Sequence, residues 1–435
     1  MGQSLFRSIP WWWVLVWLCL PFLAVMLMWP VGGPPMGRFW LGFGLAGLVA
    51  AQLPWLAARR LVLVVLMLAV PLVFLGNTFN ISLYNYDLLL PFLREVRPLR
   101  SPEYLIGGGV VAGAGALAWR LAPRVPHPRE PRVAALGLLA VLCMANVDNM
   151  VTASTAGSYQ GVPQPDAPFG SAVQRAGVAS PRSDGRHLVI ILVEALGNVT
   201  SPAERALFEA DWNRPEWRQR YDVRHGTSPY YGSTTSGELR ELCGVWGDYS
   251  QFDFSAADCL PAQYAKAGYK TAGWHSFTGA YFDRAQWWPG TGFAETGFAE
   301  DLVALGARRC GGVFPGVCDH DVPALIGTRL KQADQPQLVY WLTLNSHLPL
   351  LEHESLGTTD CRYGGTVLAD APPMLCRLFQ VHHNLSEAIT AMALDPELPP
   401  TDILIVGDHM PPFFQRDARV RFDGNTVPWI LLRAR

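Results

Sequence analysis

Charge is scarce in this chain. Asp, Glu, Lys and Arg make up 16% of its 435 residues, hydrophobic residues make up 50%, and the formal net charge is -2 at pH 7. No segment carries a basic patch or stripe, which removes nucleic acid from the list of partners. Cys-x-x-Cys and Cys/His clusters with zinc-finger spacing are absent, so small zinc-organised folds are excluded. There is no internal repeat. No small-residue cleavage site follows the first apolar run, which therefore reads as a retained span rather than a removable leader. The length leaves room for two or three domains.

What the chain has instead is apolar sequence concentrated before residue 150. Residues 11–30 carry no charge and are long enough to cross a bilayer. Further apolar runs lie at about 39–57, 61–76, 105–120 and 133–148, which makes five candidate spans in a domain of residues 1–150. Arg7, Arg59, Arg60, Arg120, Arg124, Arg129 and Arg132 fall on one side if the N-terminus is cytoplasmic. Five spans then place everything after about residue 150 outside the cytoplasm. Between spans, the segment of about 77–103 contains Ile81 to Leu93, an amphipathic stretch with Tyr84 and Tyr86 suited to the headgroup level. Residues 151–186 are rich in Ser, Gly, Pro and Ala and read as a linker packed along a soluble domain of residues 187–435.

Cysteine usage bears on the same topology through different residues. Of the 8 Cys, Cys19 and Cys143 lie in apolar runs and are expected to be free. The other six fall in polar contexts as sequential couples: Cys243 and Cys259, Cys310 and Cys318, Cys361 and Cys376. That pattern points to three disulfides and an oxidising compartment. Six cysteines allow 15 pairings; pairing of neighbours is the expectation.

From His187 the pattern alternates strand, loop and helix. His187 to Val193 and Thr401 to Gly407 are β-branched and aliphatic runs suited to buried parallel strands. Lys270–His275, Gln337–Asn345 and Val427–Leu432 also read as strands, and Asp319–Gln332 and Pro372–Leu394 as helices. The alternation implies a parallel sheet covered on both faces. The first run ends on Glu194, the second on Asp408-His409. In open α/β sheets, ligands bind outside the carboxyl ends of the strands. Between them in sequence lies Gly232-Ser-Thr-Thr-Ser-Gly-Glu-Leu, which opens a helix. Such a start leaves backbone N–H groups aimed at one spot, favourable for an anion; its plainer meaning is an N-cap with Glu238 as the capping-box acid. Glu194, Asp408, His409 and the Thr234 hydroxyl make a four-ligand set for one divalent Zn or Mn ion. An ion on that hydroxyl would make Thr234 a nucleophile.

These stretches resemble the sulfatase-like, membrane-anchored transferases that include lipoteichoic acid synthase, phosphoglycerol transferases and lipid A phosphoethanolamine transferases. The synthase pattern is strand-Glu, then G-K-T-S-x-x-E, then strand-G-D-H. Here it reads Val193-Glu194, Gly232-Ser-Thr234-Thr-Ser-Gly-Glu238 and Gly407-Asp408-His409, with Ser233 where the family has Lys. The resemblance covers the chain from about His187 onward and the membrane layout. It implies a doubly wound α/β domain of the alkaline-phosphatase/sulfatase type. It also implies transfer of a phospholipid headgroup through a phospho-Thr234 intermediate to a hydroxyl of an envelope glycan or glycolipid. His347 in Asn-Ser-His-Leu-Pro, and His275 and Arg284 in Trp-His-Ser-Phe-Thr-Gly-Ala-Tyr-Phe-Asp-Arg, then become substrate-binding residues, with Phe282 where the synthases have Trp. Glu238 joins them as an orienter of the nucleophile loop. The implied location is a bacterial inner membrane, multi-pass, with a periplasmic catalytic domain, and an envelope polysaccharide assembly complex is a candidate partner. Three disulfides and five spans favour phosphoethanolamine; the G-x-T-T-x-x-E and Gly-Asp-His-x-Pro forms favour phosphoglycerol. A formylglycine sulfatase is excluded because no Pro follows Thr234 in a C/S-x-P-x-R context. An alkaline phosphatase needs further Asp/His pairs. A phosphodiesterase and a non-catalytic envelope scaffold are the remaining alternatives.

Overall fold

The computed structural model describes residues 10–30, 34–78, 102–125, 130–152, 169–182, 184–247, 249–413 and 415–435. They form two compact units, one from the helices before residue 152 and one from residue 169 onward. The interfacial stretch expected within 77–103 lies outside the described residues from 79 to 101.

The first unit is helical: α1 Gly37–Ala50, α2 Leu56–Thr78, α3 Pro102–Leu121 and α4 Pro131–Val151. Among the described residues, three helices are long and apolar enough to cross a membrane, not the five expected. Two local features account for the difference. Residues 11–28 do not form one straight helix. They pass through a wide turn of π type at Val14–Cys19 and restart at Leu23–Met28, with Pro21, which cannot donate a backbone hydrogen bond, between the two pieces. α1 has 14 residues, a length of about 21 Å against a hydrocarbon core of about 30 Å, and the chain leaves the helix before Pro54. Trp13, Trp17, Phe22 and Trp40 are buried inside this unit, and Phe22 stacks on Trp40 at 3.8 Å between centroids. Asp148 is fully buried there. It accepts the Met36 N–H at 2.6 Å and the Trp29 indole N–H at 2.9 Å. A carboxylate at the amino end of α1 is favourable for the helix dipole, so this buried acid is satisfied by its neighbours.

Among the described residues the second unit has nine strands: β1 His187–Val193, β2 Tyr221–Pro229, β3 Lys270–His275, β4 Glu295–Gly297, β5 Arg309–Cys310, β6 Gly316–Val317, β7 Gln337–Leu342, β8 Thr401–Gly407 and β9 Thr426–Ala434. Seven form one sheet in the order β2-β9-β8-β1-β7-β3-β4, and β5 pairs with β6 apart from it. The sheet is mixed rather than parallel: β9 runs antiparallel to both β8 and β2. β2 therefore points the same way as β1, and its carboxyl end reaches the edge where β1, β3, β7 and β8 also end. The strand at β2 is missing from the sequence reading. Seven of its nine residues are exposed or half-buried, as suits an edge strand, so no apolar run marks it. In β1, Val189, Ile191 and Val193 enter the core on one face and Leu188, Ile190 and Leu192 the core on the other, which is why the run has no polar alternation.

Helices cover both faces. Those used below are α5 Pro202–Trp212, α6 Thr234–Leu242, α7 Val322–Lys331 and α8 Pro373–Leu394. The expected helix at Asp319 begins as a tight 3-10 turn at Asp319–Asp321 before α7. Within the expected linker, Ala172–Ala176 is a short helix with Ala172, Val173 and Ala176 buried. Trp287 and Trp288 pack inside this unit, 7% and 0% exposed. The disulfides are Cys243–Cys259, Cys310–Cys318 and Cys361–Cys376, and Cys19 and Cys143 are free.

Candidate active site and metal centre

Four sequence-expected residues meet at the carboxyl edge of the sheet. β1 and β8 are direct neighbours in parallel register, with Val193 opposite Gly407. The residues after those two positions, Glu194 and Asp408, therefore emerge side by side. The Asp408 amide donates to the Val193 carbonyl at 3.2 Å. Thr234 arrives from β2 through Gly232, whose φ of 81° lies in the region glycine tolerates, and stands at the first position of α6.

The Thr234 hydroxyl donates to Glu194 Oε2 at 3.0 Å and lies 3.3 Å from His409 Nε2. His409 Nε2 is 3.4 Å from Glu194 Oε1 and 3.3 Å from Asp408 Oδ2. Ser233 occupies the N-cap position of α6 without a side-chain cap hydrogen bond. Glu238 does not reach back as a capping-box acid. It points inward, accepting from Arg284 Nε and Nη2 at distances down to 2.8 Å and from the Trp288 indole at 2.9 Å. The capping-box alternative for this stretch is not what the backbone adopts.

Electrostatics explain what this cluster wants. Burial pushes the Asp408 carboxyl up, and the nearby Glu194 charge pushes it further, to about 7. Burial opposes ionisation of Glu194 too, but His347 and His409 outweigh it and hold this carboxyl low. Burial alone would lower His409; the Asp408 and Glu194 charges instead raise it to about 9. Two buried carboxylates thus hold a trapped proton on the imidazole between them.

The donor set fits a divalent ion. Ligand atoms of Glu194, Asp408 and His409 lie within 4.8 Å of one another. Asp408 Oδ1 is satisfied by the Ala195 and His409 amides at 2.8 and 2.6 Å, whereas the buried Oδ2 has no hydrogen-bond partner. His409 Nδ1 faces the Met410 carbonyl at 2.9 Å, which places N–H there and leaves Nε2 as the ligand atom. Ala195, directly after Glu194, has a φ of 54°, a strained position held by packing. A second triad, Cys318, His320 and Asp321, is disqualified because Cys318 is bonded to Cys310.

The remaining expected residues surround this centre. Arg284 is 1% exposed and its fork is engaged by Glu238, with a third donor on the Tyr281 carbonyl at 3.0 Å. It is neither on the surface nor an open two-toothed clamp. His275 is buried; its Nδ1 meets the Leu342 carbonyl at 3.1 Å and its Nε2 has no partner. Burial, aided by the Arg284 charge, keeps it neutral, well below the usual histidine range. His347 is half-buried, held by Nδ1 on the Leu348 carbonyl at 2.8 Å and packed on Phe314 at 4.1 Å.

Several contributors carry no sequence signal. Ser346 Oγ donates to the Glu194 carbonyl at 2.6 Å, and His382 Nε2 of α8 lies 3.3 Å from the same oxygen. Thr343 accepts the Glu194 amide at 2.9 Å. Gly237 admits Asp408: a Cβ there would sit 3.3 Å from the Asp408 Cα. Arg240 and Glu241, the charged pair in the second half of α6, are buried.

No family model and no curated protein matches the chain. Among solved structures, it is similar to the integral membrane lipooligosaccharide phosphoethanolamine transferase A (EptA) from Neisseria meningitidis, at 14% identity and a TM-score of 0.47, covering 99% of this chain and 88% of that one. It is similar to the lipoteichoic acid synthase LtaP from Listeria monocytogenes at 16% identity and a TM-score of 0.43, covering 59% and 67%. It is also similar to the phosphoglycerol transferase GacH from Streptococcus pyogenes at 14% identity and a TM-score of 0.40, covering 59% and 72%.

Proposed function

We propose that the chain transfers a phospholipid headgroup, phosphoethanolamine in preference to phosphoglycerol, from a membrane phospholipid to a hydroxyl of an envelope glycan or glycolipid. The observation that carries the reading is the Thr234 hydroxyl, buried at the start of α6 and 3.0 Å from Glu194 within a metal-ligand cluster. Glu194, Asp408 and His409 would hold one Zn or Mn ion with Thr234. When bound, that ion supplies Lewis acidity, favouring ionisation of the hydroxyl and offsetting phosphate charge.

The protein's own groups do the rest. Glu194 Oε2 accepts the hydroxyl hydrogen and so orients the Thr234 oxygen. α6 begins at Thr234, and the N-terminus of a helix suits a phosphate. In the first half-reaction an Oγ–P bond forms and the bond from phosphorus to the diacylglycerol oxygen breaks; diacylglycerol leaves with the proton that Thr234 gave up. In the second, an acceptor hydroxyl takes the phospho-headgroup, and its proton returns to Thr234. Water as the acceptor would give the phosphodiesterase alternative. The membrane unit would keep the catalytic unit on the periplasmic side of a bacterial inner membrane, where a donor phospholipid is at hand.

The test is the intact mass of the purified protein after incubation with defined phospholipids. A gain matching phosphoethanolamine on wild type, absent from Thr234→Ala and present in Thr235→Ala and Ser233→Ala, is expected. Loss of turnover should be several orders of magnitude for Thr234→Ala, since the covalent step has no substitute; a neighbouring hydroxyl is worth about one hydrogen bond. A dead Thr235→Ala alongside an adduct-forming Thr234→Ala would refute the assignment. A phosphoglycerol adduct would select the other headgroup.

A further inference from the structure

Arg240 is 0% exposed in the second unit, and its guanidinium is spent on three partners. Nη2 donates to the Gly407 carbonyl at 2.8 Å, Nη1 to the Asp408 carbonyl at 3.1 Å and Nε to Glu241 Oε1 at 2.6 Å. Those carbonyls belong to the peptides on either side of Asp408, the second of which joins it to His409. Arg240 sits on α6, the helix that begins with Thr234. One side chain therefore ties the nucleophile's helix to the backbone of two ligands. Glu241 in turn accepts the Ala172 and Val173 amides at 3.2 and 2.9 Å, so its charge is not left unpaired. The contact is close because Gly237 on the same helix has no side chain to hold α6 away from Asp408.

A buried ion pair of this kind is a poor way to gain stability alone, because desolvation offsets most of the Coulomb gain. Well-packed apolar side chains would serve a merely structural purpose as well. What only a fork of donors achieves is fixing two carbonyls at once. We propose that Arg240 is a positioning residue: it sets the backbone of Asp408 and His409 relative to Thr234, and thereby the metal-ligand geometry. The inference rests on the metal-centre reading above.

The experiment is a calorimetric zinc titration of the full chain in detergent, comparing wild type with Arg240→Gln, Arg240→Lys and Glu241→Gln. Wild type is expected to bind one ion. Arg240→Gln should bind at least tenfold more weakly, while Arg240→Lys, which can still donate to one carbonyl, recovers part of that loss. Glu241→Gln keeps both carbonyl contacts and should stay within threefold of wild type. In headgroup transfer, kcat of Arg240→Gln should fall with its zinc affinity while the donor KM holds within twofold. A folded Arg240→Gln that binds zinc within twofold of wild type overturns the proposal. If that variant does not fold, a tenfold loss in Glu241→Gln with none in Arg240→Lys overturns it instead. Wild type that binds no zinc removes the metal centre and this inference together. The expected pattern of zinc affinities across the series, with Arg240→Gln weakened at least tenfold, but without any transfer supports the inference and removes only the proposed reaction.

Discussion

Asp408 Oδ2 is a buried carboxylate oxygen with no hydrogen-bond partner, and leaving such a group unmatched is costly. Without an ion the compensation is the proton on His409, held up to about 9, while Asp408 is itself raised to about 7. Metal ligation needs both groups deprotonated. Between about pH 7 and 9 each bound ion should therefore expel about one proton, and affinity should rise about tenfold per pH unit before levelling above 9. Below 7 the Asp408 proton must leave too, and the dependence steepens. Titrations with zinc in two buffers of different ionisation heat read the proton count directly; a pH-independent Kd between 7 and 9 would contradict the arrangement. These candidate ligands were legible in the sequence because each sits just past a buried strand, where a polar residue faces the open edge of the sheet. Ser346, His382 and Arg240 were not, since hydrogen bonds to carbonyls depend on which elements meet, not on residue spacing.

α6 shows how an element is held at both ends. Its first turn opens toward the site, and Cys243 follows its last residue, Leu242, and bonds to Cys259. Closing a loop of this size contributes roughly 3 kcal/mol in the chain-entropy account. Non-reducing peptide mapping should recover Cys243–Cys259, Cys310–Cys318 and Cys361–Cys376 with Cys19 and Cys143 alkylated, and reduction should lower the thermal midpoint. Alkylation of all eight in denaturant without reductant would contradict this. At this scale the sequence spoke clearly where burial is two-sided, as at β1 and β8. It was silent at β2, an edge strand with polar faces. It misled at residues 11–28, where composition says span and Pro21 says break. The buried Glu238–Arg284 pair is a further case. Both partners were expected near the site, but their bond to each other was not, and losing either would cost roughly 3–5 kcal/mol.

For the whole molecule, the testable matter is sidedness. The basic loops and the disulfides both argue for an extracytoplasmic second unit, and three crossings, like five, would leave it on the face opposite residue 10. A reporter fused after Arg435 should be active outside the cytoplasm, and activity confined to the cytoplasm would refute the topology. The composition made an apolar helical unit and an α/β unit legible at once. It could not give the number of crossings, because helix length and continuity decide that, not apolar content. The neighbouring of β1 and β8 has a consequence for how the molecule matures. Glu194 precedes Asp408-His409 by more than 200 residues in the chain, and the central strand pair brings them together. If these residues hold an ion as proposed, the set could not capture one from a nascent chain that lacks β8, so loading would follow sheet closure. Under the proposed function, reactivity at Thr234 would thereby be withheld until β8 has joined the sheet.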